Sequence, residues 1–155
     1  MLLLGWVLLD QGRLCADYTR QFALDSRQRL NAFLQTLPRG SIVLAEDYTR
    51  LGEFPSAGAP YHLVVVRFAA DGGDLTRLER RRTNRVAVCE LDHGRFFTPW
   101  SIAEPGRAAY FGRGRALYRA LFALPPVWSY KPTHDMHAFT NPVVRVYRLP
   151  AAGPR

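Results

Sequence analysis

The sequence predicts an α/β domain, a three-layer sandwich of about five strands, with a mostly parallel sheet and an antiparallel C-terminal strand. Three observations predict it. Short apolar runs alternate with helical patterns, as in strand–helix–strand units. The run Leu63-Val64-Val65-Val66 is too continuous for a half-wet strand and calls for a sheet covered on both faces. After Asn141-Pro142, positions 143–149 alternate apolar and polar residues and pair with 127–131 across a polar loop.

Length and composition agree with this class. A chain of 155 residues fits one domain able to bury a core. Hydrophobic content of 48% against 22% charged residues excludes a disordered chain. The division expected is an apolar N-terminal segment at 1–15 and a single α/β domain at 16–155. The run MLLLGWVLL at 1–9 would span about 14 Å as a helix, half of a ~30 Å hydrocarbon core. It lacks the basic start of a signal peptide, and no small-residue cleavage site follows before Asp10. A strand, a docking segment and the stump of a membrane helix all fit it.

Asp25 is an N-cap with Gln28 three residues on, and Leu30, Phe33, Leu34 and Leu37 follow at helical spacing. Pro38-Arg39-Gly40 stops that helix, and IVLAE at 42–46 is a short buried strand. Positions 51–60 read as a loop, 61–68 as the second strand, and Asp71-Gly72-Gly73 as a turn. Asp74 caps a helix at 75–82 whose closing Arg80-Arg81-Arg82 complements the helix dipole. The third strand, at 86–91, completes a crossover unit that implies parallel pairing. A helix at 108–123 buries Phe111, Leu117, Leu121 and Phe122, and Gly112 and Gly114 weaken its middle by roughly 1 kcal/mol each.

In open α/β sheets ligands gather at the carboxyl ends of parallel strands. Those ends present Glu46, Asp47 and Tyr48 after the first strand and Asp92 and His93 after the third. Asp47, Tyr48, Asp92 and His93 are the ligand-binding candidates, since acidic groups with a histidine suit general acid–base work. Strand-end acids also cap helices and solvate loops. His134, Asp135 and His137 form a second cluster, and two imidazoles with a carboxylate suit a zinc-type ion. An exposed polar loop explains the same residues. Arginines and aromatics interleave in RFFTPWSIAEPGRAAYFGRGR, a pattern that stacks bases and holds phosphates, builds a core, or meets a membrane surface. No nucleophile has a neighbouring base. With neither a G-x-G-x-x-G nor a P-loop, no cofactor is expected.

The formal charge of +8 and the pI near 10.2 attract anionic surfaces, phospholipid head groups included. Arginine supplies nearly all of it, Lys131 being the only lysine, a bias that a GC-rich genome produces unaided. A nucleic-acid partner is therefore not expected. Cys89 lies in the apolar run 86–91 and reads as a buried thiol, and two cysteines leave the redox compartment open.

Several segments carry a resemblance. PRGSIVLAED follows an amphipathic helix; DLTRLERRRTNRVAVCEL reads as a helix and buried strand; RALYRALFALPPVWSYKP as a helix, a Leu-Pro break and a strand; and FTNPVVRVYRL as a closing Asn-Pro strand. In this order they resemble the soluble C-terminal region of the polyprenyl-phosphate-sugar-dependent membrane glycosyltransferases, the superfamily of protein mannosyltransferases and aminoarabinose transferases. The similarity covers roughly positions 16–149. It implies an accessory domain, or a stand-alone relative, on the extracytoplasmic face of the membrane, with 1–9 as the tail of a membrane helix. Its partner would be the membrane part of the enzyme or an anionic lipid surface. In that family the catalytic carboxylate and metal-binding acids lie far upstream, so no catalytic residue carries over to this chain. Departures are the missing membrane part, the His-rich loop and the acidic CELDH. Outside that resemblance, two classes stay open: a cytoplasmic α/β hydrolase or metal-dependent enzyme using Asp47, Asp92 and His93, and a basic nucleic-acid-binding module favoured only by charge.

Overall fold

A computed structural model describes residues 2–23, 25–49, 58–103, 105–132 and 141–150. The first described element is helix α1 (Leu2–Ala23), so the apolar run is helical rather than extended over 2–9, and the helix continues through position 15 without a break. Helix α2 (Ser26–Leu34) follows. Its N-cap is Asp25, whose Oδ1 accepts from the Arg27 backbone N–H at 2.8 Å. Strands β1 (Ser41–Glu46) and β2 (Tyr61–Val66) come next, then helix α3 (Leu75–Arg80), capped by Asp74, which accepts from the Arg77 backbone N–H. Strand β3 (Arg85–Cys89) runs directly into a single turn, α4 (Glu90–His93). Helices α5 (Pro99–Ala103) and α6 (Ala108–Phe122) lead to strands β4 (Pro126–Tyr130) and β5 (Val144–Arg148).

The five strands lie in the order β2-β1-β3-β5-β4. Strand β1 pairs in parallel with β2 and with β3, while β5 runs antiparallel to both β3 and β4. The sheet is therefore open and mixed, not mostly parallel. The cause is the slot that β5 occupies. Inserted between two strands that run the other way, one reversed strand makes two antiparallel pairings. The crossover through α3 differs from expectation as well: β2 and β3 share a direction but are not neighbours, because the chain steps over β1.

Both faces are buried along the central strands β1, β3 and β5, and side-chain alternation divides them. Strand β2, with its run Leu63-Val64-Val65-Val66, is instead an edge strand with Val64 exposed, so that run is not covered on both faces as expected, and β4 at the other edge is mostly exposed. On one face Val43, Ala45, Ala87, Val144 and Val146 pack beneath Leu30 and Leu34 of α2. On the other, Leu44, Val86 and Val88 pack against Leu78 of α3 and Leu117, Tyr118 and Leu121 of α6. Burial on both sides explains why β1 and β3 read as unbroken apolar runs. One face is covered by the nine-residue α2 and the other by two helices and their turns, so an open mixed five-stranded sheet describes the fold better than an even three-layer sandwich. Asn141 closes the frame, its Oδ1 accepting from the buried Ser26 backbone N–H at 2.7 Å across 115 positions.

Helix α1 stands apart from this core. Every side chain from 5 to 16 is exposed, with Trp6, Leu8 and Leu9 about two-thirds or more accessible. Among the described residues no helix is long and apolar enough to cross a membrane. In α1 the reason is the series Asp10, Arg13, Asp17 and Arg20, which follows the apolar first turns.

Candidate functional site at the carboxyl ends of the parallel strands

Glu46, the last residue of β1, is wholly buried. A carboxylate there needs donors, because a buried unpaired charge is costly. The fold brings three. The Ala69 backbone N–H donates to Oε1 at 3.0 Å, the Cys89 backbone N–H to Oε2 at 2.7 Å, and the Tyr118 hydroxyl to Oε1 at 2.5 Å. One side chain thereby ties the end of β1 to the turn after β2, the end of β3 and the middle of α6. Burial dominates its titration and pushes the pKa up to about 8, against the pull of those donors. Near neutrality the acid holds its proton.

Beside it, α4 turns Asp92 and His93 inward. Asp92 is fully buried; its Oδ2 accepts from the Tyr48 backbone N–H at 3.3 Å, while Oδ1 has no hydrogen-bond partner among the described residues. Burial raises its pKa to about 6. The imidazole of His93 packs edge-on against Phe122, ring centroids 4.9 Å apart, and lies 5.7 Å from the Tyr118 ring. Burial holds it neutral, its pKa lowered to about 4, with the Arg145 charge adding in the same direction. Asp47 is exposed and Tyr48 half-buried, both in the short turn Asp47–Thr49. The four strand-end candidates thus adjoin one another in the fold, but the two most perturbed are enclosed by protein. Cys89 is buried too, its thiol pushed up to about 12 by desolvation, and the Ser101 hydroxyl donates to the Phe96 carbonyl. Neither is an activated nucleophile. The arrangement suits holding strand ends in place better than acid–base turnover.

A cavity of about 500 Å³, within the range of small-molecule sites, is lined by residues that follow β2 and α4 and by part of α6, and none of Glu46, Asp47, Tyr48, Asp92 or His93 lines it. Its wall is aromatic. Phe68 meets Phe96 edge-on at 5.3 Å, Phe96 meets Phe111 at 5.6 Å, and Trp100 meets Phe111 at 5.3 Å. Its charged groups are Arg67, Arg95, Arg107 and Asp71. The Asp71 carboxylate is held by the Tyr110 hydroxyl at 3.0 Å and the Phe68 backbone N–H at 3.2 Å. Arg67 lies over the Phe68 ring and Arg95 over the Tyr48 ring.

The Arg–aromatic pattern of 95–115 is now divided by place. Trp100, Arg107 and Tyr110 line the cavity. Arg115 donates to the Phe96 carbonyl at 3.4 Å, and Arg113 is exposed. Phe111 is core as expected, whereas Phe122 is 37% exposed. Sequence reasoning did not find Arg67, Asp71 or the Glu46–Tyr118 bond. The one signal for the last was an acid ending an otherwise apolar strand. His134, Asp135 and His137 lie outside the described residues, and among the described residues no cluster of three or more His, Cys, Asp or Glu side chains could hold a metal ion.

No family model, curated protein sequence or solved structure matches the chain.

Proposed function

We propose that this chain is an accessory domain of a lipid-linked-sugar membrane glycosyltransferase, docked on the extracytoplasmic side and without catalytic residues of its own. Helix α1 is the observation that carries the membrane part of this role. Trp6, Val7, Leu8 and Leu9, four successive exposed positions of the helix, place apolar groups right round it. A helix apolar on all sides belongs in apolar surroundings, and a protein groove would need only one such face. The basic chain that follows suits an anionic lipid surface, and Trp6 suits the interfacial layer. The glycosyltransferase part rests on the resemblance in element order and on the enclosure of Glu46, Asp92 and His93, which leaves those side chains structural.

Two measurements test this. The full chain is expected to sediment with neutral phosphatidylcholine vesicles and to stay bound in high salt, with Trp6 emission shifted to the blue. The double variant Leu8→Glu/Leu9→Glu is expected to be released. Failure of the unaltered chain to bind vesicles refutes membrane docking. For the enzyme assignment, the coding sequence upstream of Met1 is expected to continue in frame into several runs of about 20 apolar residues. An in-frame stop codon just upstream overturns it.

A further inference from the structure

At the amino end of β3, the end of the sheet away from Glu46, two arginines face each other. Arg85, the first residue of β3, is in register with Arg148, the last of β5. The Leu149 N–H donates to the Asn84 carbonyl at 3.1 Å and the Glu90 N–H to the Val143 carbonyl at 3.0 Å, so the bonded pairs fall at the even positions of β3. Arg85 and Arg148 are therefore a non-hydrogen-bonded pair, the arrangement that brings opposed side chains closest. Like charges held that way destabilise a sheet. We propose that this pair binds a phosphate dianion between its two guanidinium groups.

Nothing of opposite charge relieves the contact. Among the described residues neither arginine has a carboxylate within ion-pair distance. Burial lowers the Arg85 pKa, and the charge that adds to this is that of Arg148. Both groups stay charged all the same, since guanidinium is not deprotonated in proteins. Arg85 spends its Nη1 on the Asn84 carbonyl at 2.8 Å, its Nε is buried with no partner, and Arg148 is exposed. The turn before β3 adds Arg80, Arg81 and Arg82, all exposed, and from 79 to 85 one acid, Glu79, stands against four arginines. The chemistry of the pair selects the anion. A carboxylate offers two oxygens and one charge, which a single guanidinium fork satisfies. A phosphate monoester or free phosphate offers at least three oxygens and about −1.5 to −2 charges at pH 7, enough for two forks. The site uses neither α1 nor the aromatic cavity, so it stands or falls apart from the membrane role.

The test is calorimetric titration of the full chain with inorganic phosphate at constant ionic strength. Saturable one-to-one binding is expected. Arg148→Gln, a change at an exposed position, is expected to weaken it about tenfold or more, the order of one charge-assisted contact. Arg148→Glu sets an opposite charge across from Arg85, so it is expected to abolish binding and to raise the melting temperature in phosphate-free buffer. Vesicles of phosphatidylcholine with and without phosphatidic acid separate the two sources of such a group. A gain from phosphatidic acid that Arg148→Gln removes assigns the site to a lipid headgroup; a gain that the substitution leaves intact assigns it to a soluble phosphate. Binding of a thymidine oligonucleotide without binding of inorganic phosphate overturns the dianion, because each phosphodiester carries one charge. Absence of saturable phosphate binding, or affinity unchanged in both Arg148 variants, overturns the site. In that case a higher melting temperature for Arg148→Glu identifies the pair as a repulsive contact and nothing more.

Discussion

Gly112 and Gly114 sit two positions apart in one helix, yet replacing each with alanine is expected to move stability in opposite directions. On helix propensity both changes gain about 1 kcal/mol. At Gly112 a methyl group meets nothing within 4 Å, so the gain is kept. At Gly114 an added Cβ lies 2.2 and 2.3 Å from two carbons of the Phe96 ring and 3.3 Å from the Ala70 Cβ. Ordinary carbon contacts are about 3.5–4 Å, so the ring must retreat by more than about 1 Å. It has little room: Phe96 is fully buried among Phe68, Tyr110, Phe111 and Tyr118. Overpacking of this kind costs about 1–3 kcal/mol, and more when the neighbours are themselves locked. After the propensity gain, Gly114→Ala is expected to destabilise the fold by up to about 2 kcal/mol, while Gly112→Ala stabilises it by roughly 0.5–1 kcal/mol. Urea melts of both variants give the sign directly. Phe96→Leu, which removes ring atoms from the clash, is expected to cost less in the Gly114→Ala background than alone, a coupling read from the double-mutant cycle. Equal stabilisation by both alanines would refute the contact between Phe96 and the α6 backbone.

Two further outcomes follow from the buried polar groups. Glu46 has its folded pKa raised to about 8, so the folded chain keeps a proton that the unfolded chain releases. Its contribution is complete below the ordinary carboxylate range and is lost as pH rises towards 8, with a slope of at most about 1.4 kcal/mol per unit. Below pH 6.5 Asp92 acts in the same direction and His93 in the opposite one, so the clean window is pH 7 to 8. Urea midpoints are expected to fall across it, and Glu46→Gln to flatten the trend; a flat profile in the unaltered chain rejects the buried neutral acid. Asn141→Ala leaves the buried Ser26 N–H without its acceptor and is expected to cost about 1–3 kcal/mol in a thermal melt, with Asn141→Asp recovering part of it. A cost below about 0.5 kcal/mol would mean that water replaces the asparagine.

Local signals in this sequence were legible because their causes are local. Asp25 and Asp74 cap the helices they announce, and IVLAE forms a buried strand because its neighbours on both faces are apolar. The five strands and the antiparallel pairing of the last two follow from patterns a few residues long. Strand order does not, since nothing near β2 or β3 records that β1 will lie between them. The helical state of 2–9 was open for a related reason: an all-apolar run carries no periodicity. The site was half legible. Asp92 and His93 stand out as polar residues after an apolar strand, but their enclosure depends on Phe122 and Tyr118, about 25–30 positions away. Gly114 illustrates the limit. By propensity it is a defect in a helix, and only the ring of Phe96 against its backbone makes it a requirement.

The placement of Glu46 also orders events in time. Its donors lie 23, 43 and 72 positions further along the chain. During synthesis β1 exists long before Tyr118 does, and in that interval the carboxylate stays hydrated and the end of β1 stays wet. Closing the structure then demands three distant loop closures around one side chain. Such long-range closures are slow, and they come late in assembly. Tyr118 on α6 is the last of these three partners along the chain, so the polar tie at the end of β1 is complete only once α6 has docked.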